Sequence, residues 1–222
     1  MSTKHELQNI ISGNGTARNG EVIRSITNFL RREKKTAFSL KSKKLSKDQE
    51  TKVLSEFITK TNLWYSNVDF AKYIGEGGEQ KVYEYSDPSF VLKLNDSIYY
   101  SSWEDYLNNL LLHNYFFPHL AYELLGFRLI DDTLYSCVKQ QFVRTKEKTN
   151  HKNINVFLAY NGFVNTKNND YFHPEFGVIL EDLHDENVLT TSGALQFIDT
   201  AFYITDEFRR SEERRVGKEC RL

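Results

Sequence analysis

Apolar residues recur at helical spacing in the first part of the chain. One apolar face covers residues 21–32, and a second follows Ser46. Ser46 and Gln49 form the capping-box pattern, which predicts that the second helix begins there. Residues 1–20 contain the run SGNGTARNG and little apolar pattern, so we expect a flexible start. The pattern therefore predicts a helical N-terminal extension over residues 1–63.

Between residues 64 and 143 the spacing changes to that of strands around a single helix. Apolar runs on both sides of Asp87-Pro88-Ser89, a segment with turn chemistry, predict a hairpin that ends at Leu94. Residues 103–114 repeat apolar positions at helical spacing, and a further hairpin is predicted through residues 131–133. The pattern is typical of a small antiparallel sheet with one helix.

Residues 144–209 carry shorter elements. A short helix is predicted over residues 153–161, and an apolar strand over residues 177–180. Leu189 is expected to pair with residues 195–197 across a turn that contains glycine. Together with the preceding sheet, these elements predict an α+β fold.

Residues 210–222 differ from the rest of the chain. The run RSEERRVGKEC, which begins at Arg210, resembles an in-frame translation of a sequencing-adapter oligonucleotide. We expect a non-native tail and a natural C-terminus lost after about Phe208; the alternative is a native charged helix. The tail is therefore set aside in predicting the fold.

Composition narrows the functional classes. The chain has 222 residues with 29 Lys and Arg against 30 Asp and Glu, so we expect no general attraction to nucleic acids or membranes. No apolar run approaches the roughly 20 residues of a membrane span, and we expect no signal peptide at the start of the chain. With only two cysteines, Cys137 and Cys220, a reducing cytoplasmic location is expected.

Three polar residues late in the chain have the spacing of a phosphoryl-transfer site. Asp182 and Asn187 are five apart in the run D-L-H-x-x-N, and Asp199 follows Asn187 by twelve residues. Such chemistry needs a carboxylate that orients the attacking hydroxyl, and oxygen ligands that hold Mg²⁺ against the phosphates. Asp182 fits the first role, and Asn187 and Asp199 fit the second. The alternative is a turn with acidic residues that serve solubility.

Glycines and a strand lysine add to this set. Gly75, Gly77 and Gly78 lie in a predicted hairpin, where a missing Cβ lets the backbone lie close over phosphates. Val82 follows this hairpin, and Lys93 interrupts a later apolar run. Lys93 is therefore a candidate for anchoring phosphates, and a solvent-facing strand lysine is the alternative.

These motifs resemble those of kinases. The run D-L-H-x-x-N-V-L is similar to the catalytic loop of aminoglycoside-phosphotransferase-like kinases, and it keeps the Asp-to-Asn spacing of the protein-kinase loop H-R-D-x-x-x-x-N. Residues 74–83 resemble the glycine-rich kinase loop, and Val91-Leu92-Lys93 resembles the V-A-I-K strand. From about Trp64 to Tyr203 the chain is similar to the kinase-like domain of polyvalent proteins, which bacterial phages and conjugative elements carry.

The resemblance implies a two-lobed protein-kinase-like fold with a reduced C-terminal lobe and the helical N-terminal extension. Residues 64–143 would form the N-terminal lobe, and residues 144–209 the reduced C-terminal lobe with the catalytic loop. The implied cofactors are ATP and Mg²⁺. The acceptor could be a hydroxyl of a protein or of a small molecule, and the resemblance leaves it open, as it does the oligomeric state.

Further site residues follow from the resemblance alone. Kinases present a glutamate to the phosphate-anchoring lysine from the next helix, and Glu104 is the first candidate for this role, with Asp105 the second. Main-chain groups of Gln140, Gln141 and Phe142 stand where kinases bind adenine. The resemblance thus adds Glu104 and the segment 140–142 to the nucleotide-binding residues.

Departures from the family pattern support an alternative function. Gln80 replaces the third glycine of the loop, Thr200 stands where protein kinases have the phenylalanine of D-F-G, and the C-terminal lobe is short. A catalytically weak or inactive nucleotide-binding sensor is therefore the second hypothesis. A toxin- or defence-type kinase of a mobile element is the third, and it rests on the resemblance alone.

Overall fold

The computed structural model describes residues 2–41, 45–78 and 80–208, without the side chains of residues 39–41. The tail expected at residues 210–222 lies outside these ranges. The chain divides into two compact units. We call Thr16–Phe142 the central unit, and Met1–Gly15 together with the chain from Val143 onward the terminal unit. Within the described ranges, no helix has the length and apolarity to cross a membrane.

Separate helices and antiparallel strands make up both units. The helices are α1 (Thr3–Ser12), α2 (Glu21–Lys41), α3 (Lys47–Lys60), α4 (Trp103–Phe116) and α5 (His151–Tyr160). The strands are β1 (Tyr73–Glu76), β2 (Gln80–Glu84), β3 (Phe90–Asn95), β4 (Glu123–Ile130), β5 (Thr133–Gln141), β6 (Val164–Lys167), β7 (Asp170–His173), β8 (Val178–Glu181), β9 (Val188–Thr191), β10 (Ala194–Phe197) and β11 (Ala201–Ile204). This mixture of helix and sheet confirms the α+β prediction.

The central unit is built on an antiparallel sheet in the order β1-β2-β3-β5-β4. β3 is the middle strand and pairs with both β2 and β5. Its apolar run buries Leu92 and Leu94 beside Cys137, and α4 connects β3 to β4. Burial raises the pKa of the Cys137 thiol to about 12, so this cysteine is an unreactive core residue. The predicted sequence of strands, one helix and a hairpin is confirmed.

The outer edge of β4 is covered by the chain that leaves α3. Phe127 N–H donates to Leu63 O at 2.8 Å, and Tyr65 N–H donates to Phe127 O at 2.7 Å. Gly126 permits this approach, since its φ is +147° and a Cβ there would lie 2.3 Å from Leu63 O. The end of the helical extension is therefore joined to the sheet within one unit.

Buried charges connect α2 and α3 to the first turn of α4. Glu50 of α3, whose side chain is 1% exposed, accepts the N–H of Trp103 at 2.9 Å and so caps α4. Lys34 Nζ lies 3.0 Å from Glu50 and 2.8 Å from Glu104. Arg31 Nε lies 2.8 Å from Glu104. Because an unpaired buried carboxylate is unfavourable, these four charged residues, which we call the α2–α4 charge cluster, depend on one another.

The terminal unit begins with a helix where the sequence pattern favours a flexible start. α1 buries Leu7 and Ile10, and Gln8 Nε2 donates to Phe208 O at 3.3 Å. Gly13, with φ +84°, ends the helix. The S-G-N-G run is therefore a helix stop rather than a sign of flexibility, and the apolar residues before it share one helical face.

A four-stranded antiparallel sheet in the order β11-β8-β7-β6 forms the larger part of the terminal unit, and β9 pairs with β10 in a separate hairpin. Leu189 of β9 pairs with Gln196 of β10, as predicted. Because β8 ends at Glu181 and β9 begins at Val188, the run D-L-H-x-x-N lies in the connection between the two sheets. We call residues 182–187 the catalytic loop, after the kinase loop that this run resembles.

Candidate functional site

The catalytic loop brings Asp182 and Asn187 into contact. Asn187 Nδ2 donates to Asp182 Oδ2 at 2.8 Å and to its main-chain O at 2.9 Å. Asp182 has φ +64°, an uncommon region for a residue other than glycine, and its N–H donates to Asp170 Oδ1 at 3.3 Å. Local hydrogen bonds therefore hold together the two residues that the motif pairs.

His184 is a further member of this loop, and sequence reasoning gave it no role. Its Nε2 lies 3.3 Å from Asp182 Oδ1, and its Nδ1 accepts the N–H of Glu186 at 3.2 Å. The same Nε2 lies 3.1 Å from Asn187 Nδ2, so the imidazole contacts both residues of the motif. The carboxylate of Asp182 is thus oriented at both oxygens, although its side chain is 60% exposed. The histidine within D-L-H-x-x-N was the available signal.

The β9–β10 hairpin places Asp199 beside Asn187. The main-chain O of Asn187 accepts the N–H of Ile198 at 2.9 Å and of Asp199 at 3.2 Å. Since Asn187 Nδ2 is directed to Asp182, Oδ1 is the side-chain atom that could ligate a metal. In the described part of the chain, no group of three or more His, Cys, Asp and Glu could hold a metal ion. A cation at this pair would therefore take further ligands from phosphate or water.

Lys93 lies in the middle strand of the central unit. It pairs with Val82 of β2, and its side chain is buried, which excludes the alternative of a solvent-facing lysine. Its Nζ lies 5.4 Å from the centre of the Tyr122 ring, a distance suited to a cation–π contact. Burial lowers the pKa of His113 to about 3, although a hydrogen bond to Leu120 O raises it. The positive charge of Lys93 lowers this pKa further. The imidazole beside Lys93 is therefore neutral.

Glu104 contacts α2 through both of its carboxylate oxygens, whereas the resemblance implies a pairing with Lys93. Its Oε1 is bonded to Arg31 and its Oε2 to Lys34, each at 2.8 Å. Burial alone would raise the Glu104 pKa, but the ion pairs with Lys34 and then Arg31 outweigh it and lower the pKa. Asp105, the second candidate, accepts a hydrogen bond from Ser102 Oγ at 2.7 Å at the start of α4. Glu104 thus serves the α2–α4 charge cluster.

The glycines of the candidate phosphate loop lie at the β1–β2 hairpin. Gly77 N–H donates to Gln80 O at 3.0 Å across the expected turn, in which Glu79 lies outside the described residues. A Cβ added at Gly75 or Gly77 would meet no atom within 4 Å, whereas one at Gly78 would lie 3.6 Å from the Tyr99 hydroxyl. Neither Gly75 nor Gly77 has a positive φ. Packing and backbone geometry therefore do not require glycine at these two positions.

The segment expected to contact adenine lies at the end of β5 and extends one residue beyond it. Gln140 and Gln141 pair with β3, and the N–H of Phe142 donates to Ser89 O at 2.8 Å. Phe142 N–H is therefore bonded within the protein, and the expected adenine contact would use other main-chain groups of the segment. Because hydrogen-bonded and non-bonded pairs alternate, the main-chain groups of Gln141 are directed away from β3. Gln141 also lines a cavity of about 230 Å³ with Ala121.

A second cavity, of about 530 Å³, lies in the terminal unit next to the start of the catalytic loop. Its lining includes the carboxylates of Asp170, Glu181, Asp206 and Glu207. Burial raises the pKa of Glu181, and the charges of Asp170 and Asp182 raise it further. This concentration of carboxylates disfavours an anionic acceptor in the cavity.

Comparison with known families matches residues 47–206 to serine/threonine/tyrosine kinases found in polyvalent proteins. The match covers α3, the sheet of the central unit and the catalytic loop. It begins at residue 47, earlier in the chain than the resemblance found from the motifs, which starts at about Trp64. Neither the comparison with curated proteins nor that with solved structures gives a significant match. Since the match spans well over half of the 222 residues, the chain belongs to the kinase family of polyvalent proteins.

Proposed function

We propose that the protein transfers a phosphoryl group from ATP to a hydroxyl acceptor in the presence of Mg²⁺. The observation that carries this proposal is the position of Asn187, which contacts the other two candidate residues, Asp182 and Asp199. Its side chain is bonded to Asp182, and its main-chain O is bonded to Asp199 N–H. In the proposal, Asn187 Oδ1 and the Asp199 carboxylate hold the metal, which would neutralise charge on the phosphates.

Asp182 is the proposed residue that orients the acceptor hydroxyl and receives its proton. The contacts from His184 and Asn187 fix the carboxylate, so that it meets the hydroxyl in one orientation. The family description supports a serine, threonine or tyrosine acceptor in a protein. The carboxylates in the cavity beside the loop further favour a neutral or cationic acceptor segment.

The central unit is proposed to bind the nucleotide. Lys93 would hold the phosphates, and Gly75 and Gly77 would leave room for them, because neither glycine is required by the protein itself. Val82 and the main-chain groups of Gln141 would contact the base. The sheet order β1-β2-β3-β5-β4, with α4 between β3 and β4, supports a kinase N-terminal lobe, and the small terminal unit supports a reduced C-terminal lobe.

Two substitutions test this proposal. Asp199→Asn should remove the Mg²⁺-dependent part of ATP binding, measured as the shift in melting temperature with and without metal. Asp182→Asn should leave that binding intact and lower phosphoryl transfer by a factor on the order of 10²–10⁴. Asp185→Asn, in the same loop, is the control that should change neither quantity. ATP binding that is indifferent to Mg²⁺ in the wild type, with both substitutions silent, would contradict the proposal.

A nucleotide sensor without appreciable transfer is the second candidate. It is favoured by the engagement of Glu104 with Arg31 and Lys34, and by Gln80 in place of a loop glycine. The sensor binds ATP with an affinity that depends on Lys93, but it shows no transfer that Asp182→Asn could lower. Incubation with labelled ATP and a host lysate separates the two candidates, because only the kinase labels a protein in an Asp182-dependent manner.

A further inference from the structure

The hairpin that carries the proposed metal ligands is small. β9 and β10 form a separate two-stranded sheet of four residue pairs. Because two-stranded hairpins are only marginally stable in water, further contacts are needed to keep this one in register. Residues 145–149, a polar segment that follows β5 in the chain, supply such contacts, and we call them the strap.

The strap runs along β9. Glu147 forms an antiparallel bridge with Thr190. Thr145 Oγ1 donates to Thr190 O at 2.6 Å, and Thr190 Oγ1 donates to Thr149 Oγ1 at 3.1 Å. All three contacts converge on Thr190 in the middle region of β9, so the strap acts as a short third strand of the hairpin.

Glu147 also binds the turn of the hairpin. Its Oε1 accepts the N–H of Ser192 at 2.6 Å, and its Oε2 accepts the N–H of Gly193 at 3.2 Å. These turn residues have φ values of +52° and +77°, and successive N–H groups in such turns form a site for an anion. Because a positive φ is unfavourable for serine, the carboxylate stabilises a turn that the local sequence favours only weakly.

We infer that Glu147 is a positioning residue for the magnesium ligands, an inference that rests on the proposed function. It fixes the turn and β9, and the register of the hairpin keeps the N–H groups of Ile198 and Asp199 on the main-chain O of Asn187. Without the Glu147 carboxylate the hairpin opens more often, so magnesium binds more weakly. Asp182 is held by its own loop contacts and is affected much less.

Glu147→Ala tests this inference, with Lys148→Ala on the same strap as the matched control. The magnesium concentration that gives half-maximal phosphoryl transfer is measured at saturating ATP, together with amide hydrogen exchange over residues 187–199. We expect a requirement for about three- to tenfold more magnesium, an unchanged maximal rate, and faster exchange at Ile198 and Asp199. Glu147→Gln keeps one acceptor oxygen and should fall between the wild type and Glu147→Ala.

A magnesium titration and an exchange pattern equal to those of the wild type would overturn the inference. A loss of rate that added magnesium does not restore would overturn it as well, since it would show that Glu147 acts elsewhere. If the proposed function itself is wrong, the wild-type protein will show no magnesium-dependent transfer. The inference about Glu147 will then be wrong as well.

Discussion

Lys93 and the catalytic loop are held by very different means. Lys93 is 5% exposed and lies in the middle of a five-stranded sheet, paired on both sides. Asp182 has a 60% exposed side chain and depends on three side chains close to it in the fold, Asp170, His184 and Asn187. One candidate site residue is therefore fixed by the core of its unit, and the other by a few hydrogen bonds.

This difference separates stability from function. A buried sheet residue is supported by many contacts, so changes around it alter the free energy of unfolding. Loop residues held by hydrogen bonds at the surface contribute little to that free energy, but their geometry decides catalysis. Substitutions near the catalytic loop should therefore change activity at nearly constant stability. In the central unit, some substitutions should affect mainly activity and others mainly the free energy of unfolding.

Within the central unit, the largest effect is expected from Lys93→Met, which keeps the apolar stem and removes the ammonium group. Turnover should fall roughly 100-fold, because in the proposed function the ammonium group of Lys93, which is 5% exposed, stabilises charge on the phosphates. Steady-state kinetics and ATP titration calorimetry measure the change. Lys81→Met on the neighbouring strand is the control. Equal activity of Lys93→Met and Lys81→Met would exclude Lys93 from the site, and the contrast between Lys93 and the catalytic loop would no longer concern two parts of one site.

Lys34→Met should lower stability without a direct effect on chemistry. Glu50 is 1% exposed and would lose its partner at 3.0 Å. We expect a loss of about 2 kcal/mol in the free energy of unfolding, less than for a fully buried pair because Lys34 is partly exposed. Urea denaturation measures the loss, and Lys52→Met, on the surface of α3, is the control. Activity at low temperature should persist; a loss of activity at full stability would show that α2 takes part in catalysis.

The smallest effect on stability is expected from Gly77→Ala, for which no atom lies within 4 Å of the new Cβ. Stability should be unchanged or rise by about 0.4–1 kcal/mol, because the unfolded chain loses freedom. ATP binding should nevertheless weaken by roughly 1 kcal/mol, about fivefold. Gly193→Ala is the contrast, because Gly193 has φ +77° and its replacement should lower stability. Unchanged ATP affinity in Gly77→Ala would remove the hairpin from the nucleotide site.

Much of the fold could be predicted because its signals are local. Turn chemistry around Pro88 and helical spacing in α4 depend only on nearby residues, and both elements occur where expected. That the residues on both sides of position 63 lie in one unit could not be predicted in this way. The covering of β4 by Leu63 and Tyr65 depends on the conformation of Gly126, which is far away in the sequence. Long-range backbone contacts of this kind leave no periodic signal.

The same distinction applies to the site. Asp182 and Asn187 are the ends of one loop, and a short hairpin separates Asn187 from Asp199, so their proximity follows from local structure. Glu104 was assigned by its place after Lys93, but its partners Lys34 and Arg31 are 70 and 73 residues away in the sequence. Several helical arrangements could have satisfied that carboxylate. Sequence spacing therefore indicates the loop residues better than the ion pairs that hold helices together.

The α2–α4 charge cluster also determines which segments of the chain a gene fragment must encode together. The family match begins at residue 47, after both Arg31 and Lys34. A gene fragment cut at that boundary would encode Glu50 and Glu104 without their cations, and the recombinant protein would have to bury negative charge alone. The segment of this chain that can fold as a self-sufficient unit therefore includes α2 and is longer than the part that matches the family.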